Sequence, residues 1–300
     1  MRTYNKRPLS HQELRDKLIK KGLEIDDFTH VDQLLRYVGY YRLVGYGLSF
    51  KKHDVNGRPT GQYIKGTKLA TIANAYRTDR KLRGLILTAI ESIEVAVRTV
   101  ISHTMCLRYE TPHWYMDGSL FNASRVFSHA GLLQEIERVT GQGSKRRYKN
   151  KELFIRHYYD NYDEPSLPAS WMLAEVLSFG SWSLIYNHLN VSSDRKSISK
   201  QFDLSPETLE SWLHSLVYIR NTCAHHGRLF ARLLPFKPKK DKGLPIQHQN
   251  HVFNFICVTS YLHKKIVPDS NWSKDVKDLI GQSDVGAHYF GFPEGWESYL

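Results

Sequence analysis

Cysteine is scarce in this chain, and long apolar runs are absent. The three cysteines, Cys106, Cys223 and Cys257, are too few and too scattered for a disulfide framework or a cysteine-based metal site. No stretch approaches the roughly 18 uninterrupted apolar residues that a membrane span requires, and no apolar run follows the first residues. These absences argue against a disulfide-rich secreted domain and a membrane protein. We therefore expect a soluble, cytoplasmic protein.

Acidic side chains are also in the minority. Asp and Glu number 30 against 42 Lys and Arg, which gives a formal net charge of +12. A basic protein attracts polyanions over long distances and releases their counterions on binding, so nucleic acid is the first partner to consider. The alternative is that each basic run is a solvated loop. The residues that we expect to bind RNA are Lys145, Arg146, Arg147, Lys149 and Lys151 in one run, with Arg36 and Arg42 in a tyrosine-rich stretch.

Strand-like alternation is scarce, and apolar residues instead recur at helical steps of three and four. The longest such pattern, a single helix or a broken pair, runs from Leu69 to Tyr109. Five further helical segments are predicted. Two lie near the N-terminus: one after Ser10, which forms a capping-box pattern with Glu13, and one after the similar pair Thr29 and Asp32, with a bend at Gly45 and Gly47. The other three run over 171–189, with a break at Gly180, from Ser205 through His226, and over 252–266.

Composition also predicts how the chain is organised. Residues 51–68 have the Gly, Pro, Asn and Lys content of an exposed loop or β-turn, and we place a boundary at their end. The fold should be mainly α. We expect a small N-terminal helical region over 1–66, a helical domain with inserted loops over 67–268, and a C-terminal extension over 269–300.

The segment IRNTCAHHGRLF, residues 219–230, gathers an arginine, an asparagine and two adjacent histidines. A regular helix advances about 100° per residue, so Asn221 and His225 share a face while Arg220 lies roughly 140° from His225. Arg220 can join them in one of three ways: through its long side chain, through a helix end that unwinds near Gly227, or by meeting the same segment of a second chain. His226 falls on the other side, so only one histidine easily shares a site with Asn221.

Arginine and histidine without carboxylate metal ligands suit RNA, whose own 2′-hydroxyl is the nucleophile. Histidine exchanges protons near neutral pH, and arginine stabilises the extra negative charge on phosphorus. The structural alternative is that these side chains only complement the dipole at a helix C-terminus. A histidine-based metal site is disfavoured because His225, His226 and the distant His251 or His263 lack a recognised ligand spacing. We expect no metal and no cofactor.

RNTCAHHGRLF resembles the signature of the HEPN superfamily, an arginine followed four to six residues later by histidine. It is most similar to the Abi-like abortive-infection branch, with its pattern R-N-x-x-A-H-H-x-R-L-aromatic. Three more stretches resemble that branch: LLRYVGYYRLVGYGLSF its YYRL-x-GY box, DRKLRGLILTAIESIEVAVRT its first core helix, and WMLAEVLSFGSWSLIY its W-x-x-x-E-x-x-(S/T)-x-G segment. The resemblance covers most of residues 8–265.

The resemblance implies an all-α HEPN bundle that dimerises, joining two motifs in a composite site with metal-independent endoribonuclease activity in antiphage defence. Carried over to this chain, Arg220 and His225 are the catalytic pair, Asn221 is their neighbour and His226 is the alternative histidine. Glu94, Arg98 and Arg228 are supporting residues. An antitoxin is a further expected partner, and the alternative function is a non-catalytic module that holds a structured or small non-coding RNA.

Overall fold

The computed structural model describes residues 3–142, 149 and 151–300. These residues form twelve α-helices and one two-stranded sheet, which confirms the mainly α fold. The N-terminal half contains α1 (His11–Lys20), α2 (Phe28–Tyr37), α3 (Tyr40–Gly47), β1 (Lys51–His53), β2 (Pro59–Tyr63), α4 (Leu69–Tyr109) and α5 (His129–Thr140). The C-terminal half contains α6 (Leu153–Asn161), α7 (Ser170–Val176), α8 (Phe179–His188), α9 (Ser192–Lys200), α10 (Pro206–Ala224), α11 (Val252–Ile266) and α12 (Trp272–Gly281).

Helix α4 is the central element of the fold. Its 41 residues form one unbroken helix with the predicted bounds, about 60 Å long at 1.5 Å per residue. Helices α3 and α7 to α12 all pack against it. The apolar side chains on its packed faces, including Ile86, Ile93 and Val97, are therefore almost fully buried. Any site built on α4 is held by the core of the molecule.

The bends near the N-terminus differ from those predicted. The capping box of α1 is present, with Ser10 and Glu13 each accepting from the other's backbone N–H. Helix α2 is capped by Asp27 rather than Thr29. The chain then turns at Gly39, with φ 89°, so α3 is a regular helix through Gly45. Gly47 has a packing role instead, because a Cβ there would lie 2.9 Å from the Tyr63 hydroxyl.

Two other segments also differ from expectation. The predicted loop over 51–68 contains the antiparallel hairpin of β1 and β2, with Lys51 opposite Tyr63. The break in the 171–189 segment falls at Leu177 and Ser178 rather than at Gly180. Ser178 causes it, because its side chain accepts from the N–H of Ser181 and so starts α8. Gly180 lies inside that helix.

One hydrophobic cluster contains buried residues from all three predicted regions, such as Leu43, Ile93 and Trp296. The division into 1–66, 67–268 and 269–300 stays a prediction. No helix in the described part of the chain has both the length and the apolar character needed to cross a membrane.

Candidate functional site

Helix α10 ends in a tight turn that carries both histidines. The N–H of Gly227 donates to the carbonyl of Thr222 at 2.7 Å, and that of His226 to Cys223 at 3.0 Å. This is the Schellman pattern, with His226 at the left-handed position, φ 58°. The predicted helix through His226 is therefore two residues too long. We call residues 225–227 the histidine turn.

Glycine is required at the third position of the histidine turn. A Cβ on Gly227 would lie 2.8 Å from the Thr222 side chain and 2.9 Å from its carbonyl oxygen. The turn leaves His225 and His226 both exposed. The sequence predicted that His226 lies on a regular helix, on the side away from Asn221. This was wrong about the helix, which ends at Ala224 before His226.

Arg220 is held by neighbours from α4 and from its own helix. Its Nε lies 3.6 Å from Oε2 of Glu94, and its Nη1 donates to Oδ1 of Asn221 at 3.1 Å. Glu94 is almost buried and also forms an ion pair with Arg98. The structure thus brings together Arg220, Asn221, Glu94 and Arg98, four of the residues singled out from the sequence. With 38% of its side chain exposed, Arg220 remains open to solvent.

Arg98 is the most buried cation of this group and is fixed by the backbone of α7. Its Nη1 donates to the carbonyl of Ala174 at 3.2 Å. Burial lowers the pKa of Arg98, the nearby charge of Arg220 lowers it further, and Glu175 opposes both effects. Glu175, in the W-x-x-x-E stretch, was not among the predicted site residues.

A buried carboxylate beneath the histidine turn was also not predicted. Asp79 of α4 is completely buried, and its Oδ1 accepts the N–H groups of Leu229 and Phe230, both at 2.9 Å. Its Oδ2 accepts the Tyr46 hydroxyl and pairs with Arg83. Arg83 also donates to the carbonyl of Gly227 at 3.4 Å. Asp79 therefore ties α4 and α3 to the chain that leaves the turn.

Burial dominates the electrostatics of this network. It raises the pKa of Asp79, while Tyr46, Arg83 and the two backbone N–H groups act in the opposite direction. Burial, and then the charge of Asp79, raise the pKa of Tyr46, so its hydroxyl keeps the proton that it donates. One feature of the sequence could have identified Asp79. It interrupts the apolar face of α4 between Ala75 and Leu82, and Arg83 follows four residues later, at the spacing of a helical ion pair.

Two arginines join α3 and the histidine turn reciprocally. Arg42 of α3 donates from Nη1 to the carbonyl of His226 at 2.9 Å, and Arg228 donates from Nη1 to the carbonyl of Gly45. The YYRL-x-GY box and the RNTCAHHGRLF segment are therefore parts of one structural unit. Arg228 joins the segment after the turn to the backbone of α3, and its role as a supporting residue stays a prediction.

Two open depressions flank the histidine turn. The first, of about 700 Å³, lies between α3 and the turn, and both histidines line it. The second, of about 470 Å³, lies between α4 and the end of α10. Arg42 and His226 line both depressions, and Arg220 lines neither.

The remaining predicted RNA-binding residues lie elsewhere. Arg36 is exposed and lines a separate small depression with Asp32. Lys149 is exposed, and Lys151 donates to the carbonyl of Arg138 at 3.4 Å. Lys145, Arg146 and Arg147 lie outside the described residues.

The described residues include no group of three or more His, Cys, Asp or Glu side chains placed to hold a metal ion. Cys223, next to the histidine turn, is buried, and burial raises the pKa of its thiol to about 12. A thiol with that pKa is a poor nucleophile near neutral pH. The side chains of the candidate site offer imidazole, guanidinium and amide groups, together with the Glu94 carboxylate that pairs with Arg98 and Arg220.

The chain matches the model of a known protein family. The family model described as Abi-like protein matches residues 33–231, from within α2 to just beyond the RNTCAHHGRLF segment. The chain belongs to this family. Neither the curated proteins nor the solved structures gave a match.

Proposed function

We propose that this protein is a metal-independent endoribonuclease of an abortive-infection or toxin–antitoxin system. Its membership of the Abi-like family indicates a protein of abortive-infection defence. The ribonuclease proposal rests on one arrangement: Arg220, in the last turns of α10, is braced by Glu94 and Asn221, and the same helix ends in an anchored turn that carries two exposed histidines. Placement in the HEPN superfamily is part of the proposal.

In the proposed reaction the ribose 2′-oxygen attacks the adjacent phosphorus and the bond to the 5′-oxygen breaks. The products are a 2′,3′-cyclic phosphate and a 5′-hydroxyl. One imidazole accepts the proton of the 2′-hydroxyl, and another donates a proton to the departing oxygen. His225 is the catalytic histidine and His226 the alternative. Arg220 stabilises the negative charge that builds up on the phosphoryl oxygens.

We further propose that the site is composite and forms between two copies of the chain. Arg220 contacts Glu94 and Asn221 and lines neither depression beside the histidine turn. A second chain would bring its own histidine turn to this arginine.

The test is cleavage of end-labelled single-stranded RNA by the purified protein in EDTA. We expect cyclic-phosphate or 3′-phosphate ends with 5′-hydroxyls, and no cleavage of DNA, which lacks the 2′-hydroxyl. Arg220→Ala and His225→Ala should each slow cleavage by about 10² or more, the scale of a lost acid–base or oxyanion group. His103→Ala, which removes an exposed histidine elsewhere on α4, is the matched control.

Two results would overturn the proposal. One is activity that EDTA abolishes and a divalent ion restores. The other is a His225→Ala protein that cleaves at the wild-type rate. If His225→Ala preserves both RNA affinity and the cellular effect of the protein, the alternative function, a non-catalytic RNA-binding module, replaces it.

A further inference from the structure

We infer that the two depressions beside the histidine turn form one groove for single-stranded RNA, in which Tyr41 stacks on a base and Arg42 and Arg80 contact phosphates. The inference rests on the proposed function, because it specifies the form of RNA that this site accepts. Three features support it: the shared lining of the two depressions, their charge and their exposed tyrosine.

The two depressions adjoin at the histidine turn. Arg42 and His226 line both of them and so form their shared wall. A strand that passes from one depression to the other must cross His226 and its hydrogen-bonded partner Arg42. The phosphodiester at the crossing point would therefore lie next to the histidines.

The lining of the groove is cationic. No Asp or Glu lines either depression within the described part of the chain, whereas four arginines do. Two of these are committed to the protein: Arg83 pairs with Asp79, and Arg228 donates to Gly45. The other two, Arg42 and Arg80, are the groove's cations for phosphate.

Arg42 and Arg80 have donors to spare. Arg42 uses Nη1 for the carbonyl of His226, which leaves Nε and Nη2 for a ligand. Arg80 is exposed and forms no hydrogen bond or ion pair with the described residues. Arg80 lines only the second depression and Arg42 lines both, so the two arginines can contact successive phosphates of one strand.

Tyr41 is the side chain that is open for stacking. Its exposed fraction is 80%, and its ring meets that of Tyr40 at 84° with centroids 5.8 Å apart. Tyr40 is itself fixed, with the ammonium of Lys17 over its ring at 5.2 Å and that of Lys21 donating to its hydroxyl at 3.4 Å. Tyr41 thus packs against a fixed ring, and most of its own surface is open to a base.

These features select single-stranded RNA over duplex RNA. Bases in a duplex are already stacked and paired, so a protein aromatic ring cannot stack on them without unpairing them. A positively charged groove with an exposed aromatic ring suits an unpaired strand of any sequence.

The test measures affinity separately from cleavage. A fluorescent 2′-O-methyl RNA of about ten nucleotides has no free 2′-hydroxyl and cannot be cleaved, so fluorescence anisotropy with the full-length chain reports binding alone. Tyr41→Leu should weaken binding about tenfold, the scale of one lost stack, while Tyr41→Phe should stay within about twofold. The same RNA annealed to its complement should bind at least about tenfold more weakly.

The matched controls are exposed side chains that do not line the groove. Tyr37 is as exposed as Tyr41, at 79%, but does not line the groove, so Tyr37→Leu should bind like the wild type. Arg80→Gln should weaken binding more than Arg125→Gln, which removes an exposed arginine from a separate depression. Circular dichroism checks that each variant is folded.

Wild-type affinity in Tyr41→Leu, or equal affinity for the single strand and the duplex, would overturn the inference. The proposed ribonuclease fails by a different result, the absence of cleavage of unmodified RNA. A protein that binds as described but does not cut would therefore retain the groove and lose only the catalysis.

Discussion

At the scale of single residues, the position of the candidate site depends on one carboxylate outside the motif. Burying a charge is unfavourable unless it is paired and hydrogen-bonded, and Asp79 meets this condition through Arg83, Tyr46 and two backbone N–H groups. Those backbone groups lie two and three residues after the histidine turn. Asp79 therefore fixes where the turn lies relative to α4, which also carries Glu94.

Asp79→Asn should be strongly destabilising although it preserves the shape of the side chain. The amide still accepts from Leu229 and Phe230, but it cannot neutralise Arg83, which is left as a buried, unpaired charge. Breaking a buried ion pair in this way costs about 3–5 kcal/mol. Urea unfolding followed by circular dichroism measures the loss.

The exposed Asp16 provides the control for this substitution. Asp16→Asn should change the free energy of unfolding by no more than about 0.5 kcal/mol. If Asp79→Asn is as mild as Asp16→Asn, the buried network does not hold the turn.

At the scale of elements, the sequence predicted best where a local signal determines the structure. The apolar period predicted α4 and α11, and Ser10 and Ser205 mark the start of α1 and α10 as expected. In each case the signal lies in the element itself, in its own periodicity or its own capping side chain.

The bends and ends were predicted less well because packing decides them. Gly39, Gly45 and Gly47 all permit a bend, but only Gly39 adopts a positive φ, and Gly47 is fixed by Tyr63 of the hairpin. At the end of α10, His226 takes the left-handed position that glycine usually occupies, while Gly227 follows it. No local rule distinguishes these glycines.

Substitutions at two adjacent positions of the histidine turn should have opposite effects on the free energy of unfolding. Gly227→Ala should reduce the free energy of unfolding by about 1–3 kcal/mol, because its Cβ would overlap Thr222. His226→Gly removes a left-handed non-glycine residue and should be neutral or stabilising by up to about 1 kcal/mol. Chemical denaturation of both variants tests this, and a more stable Gly227→Ala protein would contradict the assigned turn.

At the scale of the whole molecule, distant parts of the chain meet around the site. Arg42 and Tyr46 come from α3, Asp79 and Arg83 from α4, and the turn follows α10. The C-terminal part also contributes, since the N–H of Ala231 donates to the carbonyl of Tyr289 at 2.7 Å. The family match ends at residue 231, but the fold that supports the motif extends beyond it.

This arrangement explains how much of the site could be predicted. Arg220, Asn221, Glu94 and Arg98 were found from motifs within single helices, and the structure brings them together. Asp79 and Tyr46 were missed because their role arises from contacts between residues far apart in sequence. Only the resemblance indicated that the box and the motif belong together, and Arg42 and Arg228 supply the physical reason.

A composite site requires a homodimer, and we expect its two chains to meet at the ends of α10. Light scattering at micromolar concentration should give twice the chain mass of 34.9 kDa. Mixing Arg220→Ala and His225→Ala chains should then restore activity that neither has alone, because each heterodimer contains one site with an intact arginine and histidine. Random exchange makes half of the dimers mixed, each with one of two sites active, so about a quarter of the wild-type rate is expected. No recovery after exchange, or a strict monomer that still cleaves RNA, would place the whole site within one chain.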